Sequence, residues 1–300
     1  MSEGTPYRIA VIGDIHKSWS DFDVEFFNRS DYDLVLFVGD LPGRTHRGTL
    51  DVARQIARVQ LPALLIPGNH DGVSVMQLIG ELQQNQRLIE RSSRKQESLC
   101  EELEEALRPV QMCGYSIHRP AGSLFDLIAA RPHSMGGPHM GFRPHLKRKF
   151  GVESLTQSKE RLRDLVDQCG PRIIFLAHNG PKGLGAERNA IWGCDFRSEG
   201  GDFGDADLEA AISHARKSGK QVLAVIAGHM HHRVRGLTER PWRTTQSGTL
   251  YINAARVPRI FRLNSEMRHH HIAVEVSQSQ TEAREELINP GASSQASQVS

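Results

Sequence analysis

Gly68–Asn69–His70–Asp71 (GNHD) follows the apolar run ALLI at 63–66 and precedes a segment with a helical pattern. An asparagine and a histidine directly after a buried strand indicate either a functional site or a polar turn, for which glycine and asparagine supply backbone freedom. Short motifs of this kind are common by chance, so the rest of the chain has to decide between the two interpretations.

Four more apolar runs end in side chains of the same kind. RIAVI at 8–12 leads to Asp14 and His16, DLVLFV at 33–38 to Asp40, RIIFLA at 172–177 to His178, and QVLAVIA at 221–227 to His229 and His231. Apolar strands that alternate with helical patterns predict an α/β fold whose sheet is buried on both faces. Ligands of such folds bind beyond the carboxyl ends of the strands, where all five predicted strands carry their polar residues.

These residue types are suited to a pair of divalent metal ions. A single carboxylate such as Asp40 can bridge two ions about 3.5–4 Å apart, and Asn69 offers a neutral oxygen. Mixed His, Asp and Asn ligands suit Mn, Fe, Zn or Ni, so the pattern does not identify the metal.

Together the blocks resemble those of the calcineurin-like metallophosphoesterases: Asp14-x-His16, Gly39–Asp40, GNHD at 68–71, His178 and Gly228–His229-x-His231. The resemblance extends over about residues 8–276, with all five blocks in order. It implies a four-layer α/β/β/α sandwich of mixed β-sheets with flanking helices. It also implies a hydrolase that uses two divalent metal ions to cleave a phosphomonoester or phosphodiester.

The resemblance further implies a role for each residue of the blocks. Asp14, His16 and His231 would bind the first metal, Asn69, His178 and His229 would bind the second, and Asp40 would bridge the two. A hydroxide shared by the ions would attack phosphorus in line with the leaving oxygen. His70 would stay off the metals and protonate or stabilise that oxygen, which makes it a predicted catalytic residue.

One block departs from family members that act on phosphoproteins. In those, an Asp orients the catalytic histidine and an Arg binds phosphate, whereas this chain has Gly43 and Arg44 at these positions. Arg44 is therefore predicted to act on phosphate, and Asp71 or another group has to orient His70. The missing carboxylate argues against a Ser/Thr-type protein phosphatase. The GHxH block with both histidines is more typical of the small-molecule, nucleotide and nuclease branches.

Substrate contacts are expected outside the motif blocks. Besides Arg44, the candidates are His133 and His139 in a loop rich in Gly, Pro and His, for which packing within the loop is the alternative role. A guanidinium binds two phosphate oxygens at once, which favours Arg44. The predicted partner is a small phosphorylated substrate such as a nucleotide. A non-catalytic metal-binding scaffold is the alternative from another functional class.

Composition narrows the partners and the compartment. The 300 residues are 38% hydrophobic and 24% charged, and a net charge of +2 gives no reason to expect a membrane or nucleic acid as partner. The one basic cluster, at 143–149, is predicted as a surface turn, which argues against a nuclease. Four scattered cysteines and the lack of a signal pattern predict a cytoplasmic protein, whereas the oligomeric state is not predicted.

One phosphoesterase domain is predicted over residues 1–276, with a helical insertion at about 73–110. The insertion is predicted as two helices, 73–88 and 97–107, the second a solvated charged face. Residues 277–300, rich in Ser, Gln, Glu and Ala, are predicted as a disordered tail. The triplet His269–His271 opens a predicted strand and is interpreted as a surface feature.

Overall fold

The computed structural model describes residues 5–41, 45–195, 201–234, 236 and 239–293. Its strands are β1 (Tyr7–Ile12), β2 (Leu34–Phe37), β3 (Ala63–Leu65), β4 (Gln111–Met112), β5 (Ser116–His118), β6 (Asp126–Ala129), β7 (Arg172–Leu176), β8 (Gln221–Ala227), β9 (Arg243–Gln246), β10 (Thr249–Asn253), β11 (Ile260–Leu263), β12 (Glu266–Val276) and β13 (Thr281–Ile288). Its helices are α1 (Asp21–Arg29), α2 (His46–Ile56), α3 (Val75–Leu82), α4 (Gln86–Leu107), α5 (Arg143–Phe150), α6 (Leu155–Asp167), α7 (Ala206–Lys217) and α8 (Pro290–Ser293).

Two mixed sheets form the centre of the molecule. The first has the strand order β11-β12-β1-β2-β3-β4, with β13 also paired to β12, and the second has the order β5-β6-β7-β8-β10-β9. Strands β1 to β4 are parallel, as are β6, β7, β8 and β10. The parallel strands of each sheet therefore end on the same side, and the predicted metal ligands follow those ends.

Apolar side chains divide into three clusters, which define the layers. Ile9, Val11 and Ile174 belong to the cluster between the sheets. Ala10 and Ile12 belong to the cluster that packs the first sheet against α1, α2 and α4, because successive side chains of a strand point to opposite faces. A third cluster packs the second sheet against α6 and α7. The predicted four-layer α/β/β/α sandwich is confirmed.

The predicted helical insertion consists of α3 and α4, with boundaries other than predicted. The first helix ends at Leu82, and the Asn85 side chain caps the second by accepting a hydrogen bond from the Leu88 amide (3.2 Å). Helix α4 is thus one helix of 22 residues. It buries a stripe that includes Leu103 and Leu107, so the prediction of a purely solvated face was wrong.

The histidine triplet His269–His271 is buried in β12, which corrects its interpretation as a surface feature. His269 Nδ1 lies 2.9 Å from Asp23 Oδ1, which also accepts a hydrogen bond from Arg259 (2.9 Å). His271 Nε2 lies 2.8 Å from the hydroxyl of Tyr32. Burial would raise the pKa of Asp23, but Arg259 and His269 lower it to about 2. Strand β13 pairs with the backbone of the triplet. The aromatic rings of α1, from Phe22, Phe26 and Phe27, pack against His269 and His271 and help to bury them.

The basic cluster at 143–149 forms helix α5, not the predicted surface turn. Its Lys and Arg side chains lie toward solvent to different extents, whereas His145 and Leu146 are buried. The alternation of apolar and basic residues in this short segment carries no clear period, which is why the sequence did not reveal the helix.

Strand β13 contradicts the predicted disordered tail. It pairs with β12 in antiparallel register over its whole length. Ala283 is buried, and Arg284 forms an ion pair with Glu275 across the two strands (2.8 Å). Backbone hydrogen bonds to a neighbour hold an edge strand, so it needs few apolar residues and the polar composition of 277–300 concealed it. Residues 294–300 lie outside the described part of the chain.

Truncation after Ser277 is expected to destabilise the domain, because it removes β13 and leaves one side of β12 unpaired. With a net contribution of about 1 kcal/mol per hydrogen bond, partly offset by the entropy of ordering the strand, we expect a loss of ~2 kcal/mol or more, equivalent to a fall in Tm of at least ~4 °C. Scanning calorimetry measures this shift. Truncation after Ser293, which retains β13, is the control, and equal Tm values for the two truncations would contradict the docking of this strand.

Candidate metal centre

The five predicted strand ends meet on one side of the two packed sheets. The His178 ring, after β7 in the second sheet, donates a hydrogen bond from Nδ1 to the carbonyl of Val38, after β2 in the first (2.7 Å). The Asp14 carboxylate, after β1, accepts a hydrogen bond from the backbone amide of His229, after β8 (3.0 Å). These contacts across the sheets bring all seven predicted ligands into one site.

Asp14, His16 and His231 form the first ligand set. Their ligand atoms all lie within 4.8 Å of one another, with 3.8 Å between Asp14 Oδ1 and His231 Nε2. The rings of His16 and His231 meet edge to face, with centroids 5.2 Å apart. These are the three residues that the resemblance assigns to the first metal.

Asp40, His178 and His229 form the second set, again with ligand atoms within 4.8 Å of one another. Asn69 joins it, since its Oδ1 lies 3.1 Å from His178 Nε2. The rings of His178 and His229 have centroids 5.1 Å apart. The set contains the residues that the resemblance assigns to the second metal.

Asp40 lies between the two sets. Its Oδ1 is 3.7 Å from His178 Nε2, and its Oδ2 is 4.0 Å from His16 Nε2. One carboxylate oxygen thus faces each set. This is the arrangement that a bridging carboxylate requires.

Unpartnered polar atoms test whether these residues fit a metal. Asp14 Oδ1 and His16 Nε2 are buried and have no hydrogen-bond partner among the described residues, a state that native proteins seldom leave uncompensated. His178 must carry its proton on Nδ1, because the Val38 carbonyl can only accept. Its Nε2 lone pair therefore faces the Asn69 oxygen and the Asp40 carboxylate. Acceptors aimed at one another in this way fit a cation between them.

Burial and mutual repulsion set the protonation states of the site. Burial lowers the pKa of His229 to about 3 and that of His231 to about 4, so both imidazoles are neutral at pH 7 and offer lone pairs. Burial, with the Asp40 charge beside it, raises the pKa of Asp14 well above its usual range. For Asp40, burial acts in the same direction, but His178 and three further histidines hold its pKa below the usual range. A cation beside Asp14 would supply the positive charge that this carboxylate lacks.

Backbone strain also marks the site. Asp14, His16, Asp40 and His229 adopt positive φ angles of 44°, 39°, 51° and 66°. Such conformations cost non-glycine residues about 1–3 kcal/mol each and cluster at functional sites. Gly68 leaves room for the loops to approach one another, since a Cβ there would overlap the Asp40 carboxylate.

His70 lies beside both ligand sets without belonging to either. Its backbone amide donates to Asp40 Oδ1 (3.0 Å), and its ring lies 6.2 Å from that of His16. The ring is partly exposed and has no hydrogen-bond partner within the described part of the chain. It also lines the cavity beside the centre, where a leaving group would lie.

The structure gives Asp71 a different role from the predicted one. Its two carboxylate oxygens accept hydrogen bonds from the backbone amides of Asp40 (2.8 Å), Leu41 (2.9 Å) and Gly68 (2.8 Å). Among the described residues, no hydrogen bond joins the Asp71 carboxylate to the ring of His70. Asp71 therefore holds two ligand loops together and does not orient that ring. Burial, followed by the Asp40 charge, raises the pKa of Asp71 to about 7.

The three predicted substrate-binding residues have separate outcomes. His133 is 2% exposed and its Nδ1 bonds to the Gly68 carbonyl (3.0 Å), so it packs beneath the ligand loop and does not face substrate. His139 is exposed and lines the cavity, where it stays a candidate. Arg44 lies outside the described residues, and so does Gly43.

A cavity of about 270 Å³ opens directly from the metal centre. Asn69, His70 and His229 form its inner end, and its walls are largely apolar: Leu78, Leu82, Met135, Pro138, Met140 and Phe203. Residues of this kind carry no chemical signature in a sequence, so none was predicted as part of the site. Leu82, at the rim of the cavity, is 58% exposed.

A family model described as calcineurin-like phosphoesterase matches residues 7–233. Among curated proteins none matches the sequence. The match covers the five ligand-bearing strands, from β1 to the end of β8 and the GHxH loop.

Solved structures share the architecture at low sequence identity. One chain is similar over 94% of this chain and 99% of its own, at 12% identity with a TM-score of 0.53. The sulfate thiohydrolase SoxB of Thermus thermophilus, in complex with glycerol, is similar over 85% of this chain and 38% of its own, at 16% identity with a TM-score of 0.41. Vps29 of Chaetomium thermophilum is similar over 94% of each chain, at 10% identity with a TM-score of 0.31. At 12% identity, the similarity to the first of these chains shows a shared fold and nothing further.

Proposed function

The chain belongs to the calcineurin-like phosphoesterase family, and on that premise we propose that it is a dinuclear hydrolase of a small phosphomonoester or phosphodiester. Family membership and the ligand clusters together make it a metal-dependent phosphoesterase. The number of ions, the residue roles and the class of substrate are the proposal.

The position of Asp40 supports the dinuclear site most directly. One of its oxygens faces His16 and the other faces His178, which belong to different ligand sets. A mononuclear site would leave the second set of buried imidazoles and carboxylates without a function. The ligand types admit Mn, Fe, Zn or Ni.

The residues around the two sets are placed for phosphoester hydrolysis. Divalent ions held there would supply positive charge to the phosphate oxygens and lower the pKa of a water molecule. The Asp71 carboxylate ties the loops of Asp40 and Gly68 together, which keeps the ligands in place. His70, partly exposed at the inner end of the cavity, would protonate the leaving oxygen or stabilise its charge.

The apolar cavity supports a substrate with an apolar group next to the phosphate. Leu78, Met135 and Met140 would contact that group, and His139 borders the opening. The volume of about 270 Å³ suits an aromatic ring or a group of similar size. The side chain of Glu81 is the one carboxylate in the lining, and burial raises its pKa. The Glu81 side chain would orient polar parts of the leaving group.

Two alternatives are kept as outcomes of the test. A Ser/Thr-type protein phosphatase would need a phosphate-binding arginine, for which Arg44 is the candidate. It would also have to orient its catalytic histidine without the usual Asp, because this chain has Gly43 at that position. A non-catalytic scaffold would have no need for complete ligand sets, yet both sets are complete here.

A hydrolysis screen with added Mn²⁺ tests the proposal. Its substrates are an aryl phosphomonoester, the matching bis-aryl diester and the methyl aryl diester, with His229→Ala as the inactive control. We expect metal-dependent hydrolysis that the substitution abolishes, and a lower KM for the bis-aryl than for the methyl aryl diester because the second ring fills the cavity.

Other outcomes separate the alternatives. Activity on the monoester alone would restrict the proposed substrate to phosphomonoesters and retain the Ser/Thr-type phosphatase as the alternative. Absence of hydrolysis in a protein that folds without bound metal would contradict the proposal and favour the scaffold. Equal KM values for the two diesters would remove the cavity from the substrate site.

The predicted partners and compartment remain part of the proposal. The described residues contain no helix long and apolar enough to cross a membrane. The four cysteines are unpaired and buried, which is in keeping with the reducing cytoplasm.

A further inference from the structure

A second group of metal-ligand side chains lies behind the GNHD loop. Cys100 on α4, His133 in the loop after β6 and His145 on α5 are 1%, 2% and 2% exposed. Their ligand atoms lie within 4.8 Å of one another, and Cys100 Sγ is 4.0 Å from His133 Nε2. None of the three belongs to the paired metal centre.

The hydrogen bonds of His133 prepare it as a ligand. Its Nδ1 can only donate to the Gly68 carbonyl (3.0 Å), so the Nε2 lone pair points toward Cys100. Metal-binding histidines are commonly oriented in this way, by a carbonyl that accepts from the other ring nitrogen. Burial lowers the pKa of His133 well below its usual range, which keeps the imidazole neutral.

His145 supplies an independent observation. Its Nδ1 is buried and has no hydrogen-bond partner in the part of the chain that the structure describes, although its ring meets that of His133 with centroids 5.2 Å apart. Burial, followed by the charges of Lys149 and Arg148, lowers the pKa of His145 to about 4. A buried imidazole nitrogen without a partner, on a member of a buried cluster of metal-ligand residues, is what a bound ion would satisfy.

We propose that Cys100, His133 and His145 bind one Zn²⁺ ion at a site separate from the paired metal centre. One thiolate and two neutral imidazoles are ligands that zinc prefers, and water can complete a tetrahedral set. On binding, the Cys100 thiol loses its proton to solvent as the sulfur–zinc bond forms. This proton loss replaces the buried thiol by a thiolate whose charge the ion compensates.

The site would connect three parts of the chain. It joins α4 of the helical insertion, α5 and, through His133, the carbonyl of Gly68 directly before Asn69 and His70. Cys100 also touches this loop, since its Sγ lies 3.7 Å from the Gly72 carbonyl. The ion would therefore stabilise the loop that carries one ligand of the paired centre and the predicted proton donor.

Charges of both signs surround the cluster. Lys149 lies near both Cys100 and His145, and Arg148 also lies near His145. Asp71, Glu104 and Glu101 place negative charge near Cys100. The alternative is a metal-free chain of hydrogen bonds, in which the thiol of Cys100 donates to His133.

Reconstitution of the full chain with cobalt(II) distinguishes the metal site from the metal-free chain of hydrogen bonds. A Co²⁺ ion bound by a thiolate shows near-ultraviolet charge-transfer absorption, whereas nitrogen and oxygen ligands give none. Among the described residues, the only metal-ligand group that contains a cysteine is this one. We expect the band to appear in wild type, to be lost in Cys100→Ser and to persist in Cys113→Ser, which changes another buried cysteine.

Zinc content provides the second measurement. Cys100→Ser and His145→Ala should each bind one zinc ion fewer per chain than wild type, whereas Cys113→Ser should match it. Wild type without the absorption band, or a Cys100→Ser variant that keeps it, would overturn the proposal. The wild-type spectrum decides the question even where a variant fails to fold, and neither measurement depends on phosphoesterase activity.

Discussion

Asp40→Asn is expected to abolish metal binding at both sets and to reduce hydrolysis to below about a thousandth of wild type. The carboxylate faces His16 with one oxygen and His178 with the other, so its negative charge would act on an ion held by either set. An amide of the same size removes that charge. Several kcal/mol of transition-state stabilisation that depends on the ions would be lost, and each 1.4 kcal/mol corresponds to a factor of about ten.

Metal analysis after dialysis measures the effect, with His16→Ala as the matched control. His16 belongs to the first set only, so its loss should leave the second ion bound. Asp40→Asn should lose both. A variant that retained two ions per chain after dialysis would contradict the bridging role, whatever its activity. One retained ion would restrict Asp40 to a single set.

His70→Ala is expected to lower kcat by ~10²–10⁴-fold and to leave the metal content unchanged. The contact of His70 with the ligands runs through its backbone amide, which donates to Asp40 and remains after the substitution. The ring itself lies at the cavity and forms no hydrogen bond with the described residues. The loss should therefore be confined to turnover.

A series of leaving groups sharpens this test. If His70 protonates the leaving oxygen, its loss should slow alkyl esters more than nitrophenyl esters, which leave without a proton. His139→Ala, in the same cavity, should change kcat only a few-fold. A His70→Ala variant that lost its metals would show instead that the ring supports the ligand loop.

The strands and the ligand positions were accessible from the sequence, because both are local properties. Five apolar runs, each followed within four residues by Asp, Asn or His, define an edge of a sheet without knowledge of the fold. The seven predicted ligands do lie together, and they divide into the two predicted sets.

The roles of the other histidines could not be predicted from the sequence. His133 was predicted at the substrate and lies beneath the ligand loop, whereas His145 was taken for part of a surface turn. The partners of these residues come from distant segments: Cys100 is 33 residues from His133, and His269 contacts Asp23 across 246 residues. A histidine has the same appearance in a sequence whether it binds metal, packs or faces solvent.

Strand β13 and the role of Asp71 could not be predicted for the same reason, because each depends on contacts with residues distant in the sequence. The polar segment 281–288 becomes a strand because β12 offers it an unpaired edge. Asp71 stands next to His70 in the chain, but its carboxylate turns to amides that the fold brings from the loop after β2.

Local apolar runs thus determined the five ligand-bearing strands and the side chains that follow them, because those features depend on neighbouring residues. The packing of the two sheets decided the distances, since Asp40 and His178 are 138 residues apart and meet only when their strand ends are brought together. It also decided the cavity and the Cys100 cluster, which are assembled from α3, α4, α5 and the loop at 131–141. Chemistry at the site requires such proximity, and only the folded chain supplies it.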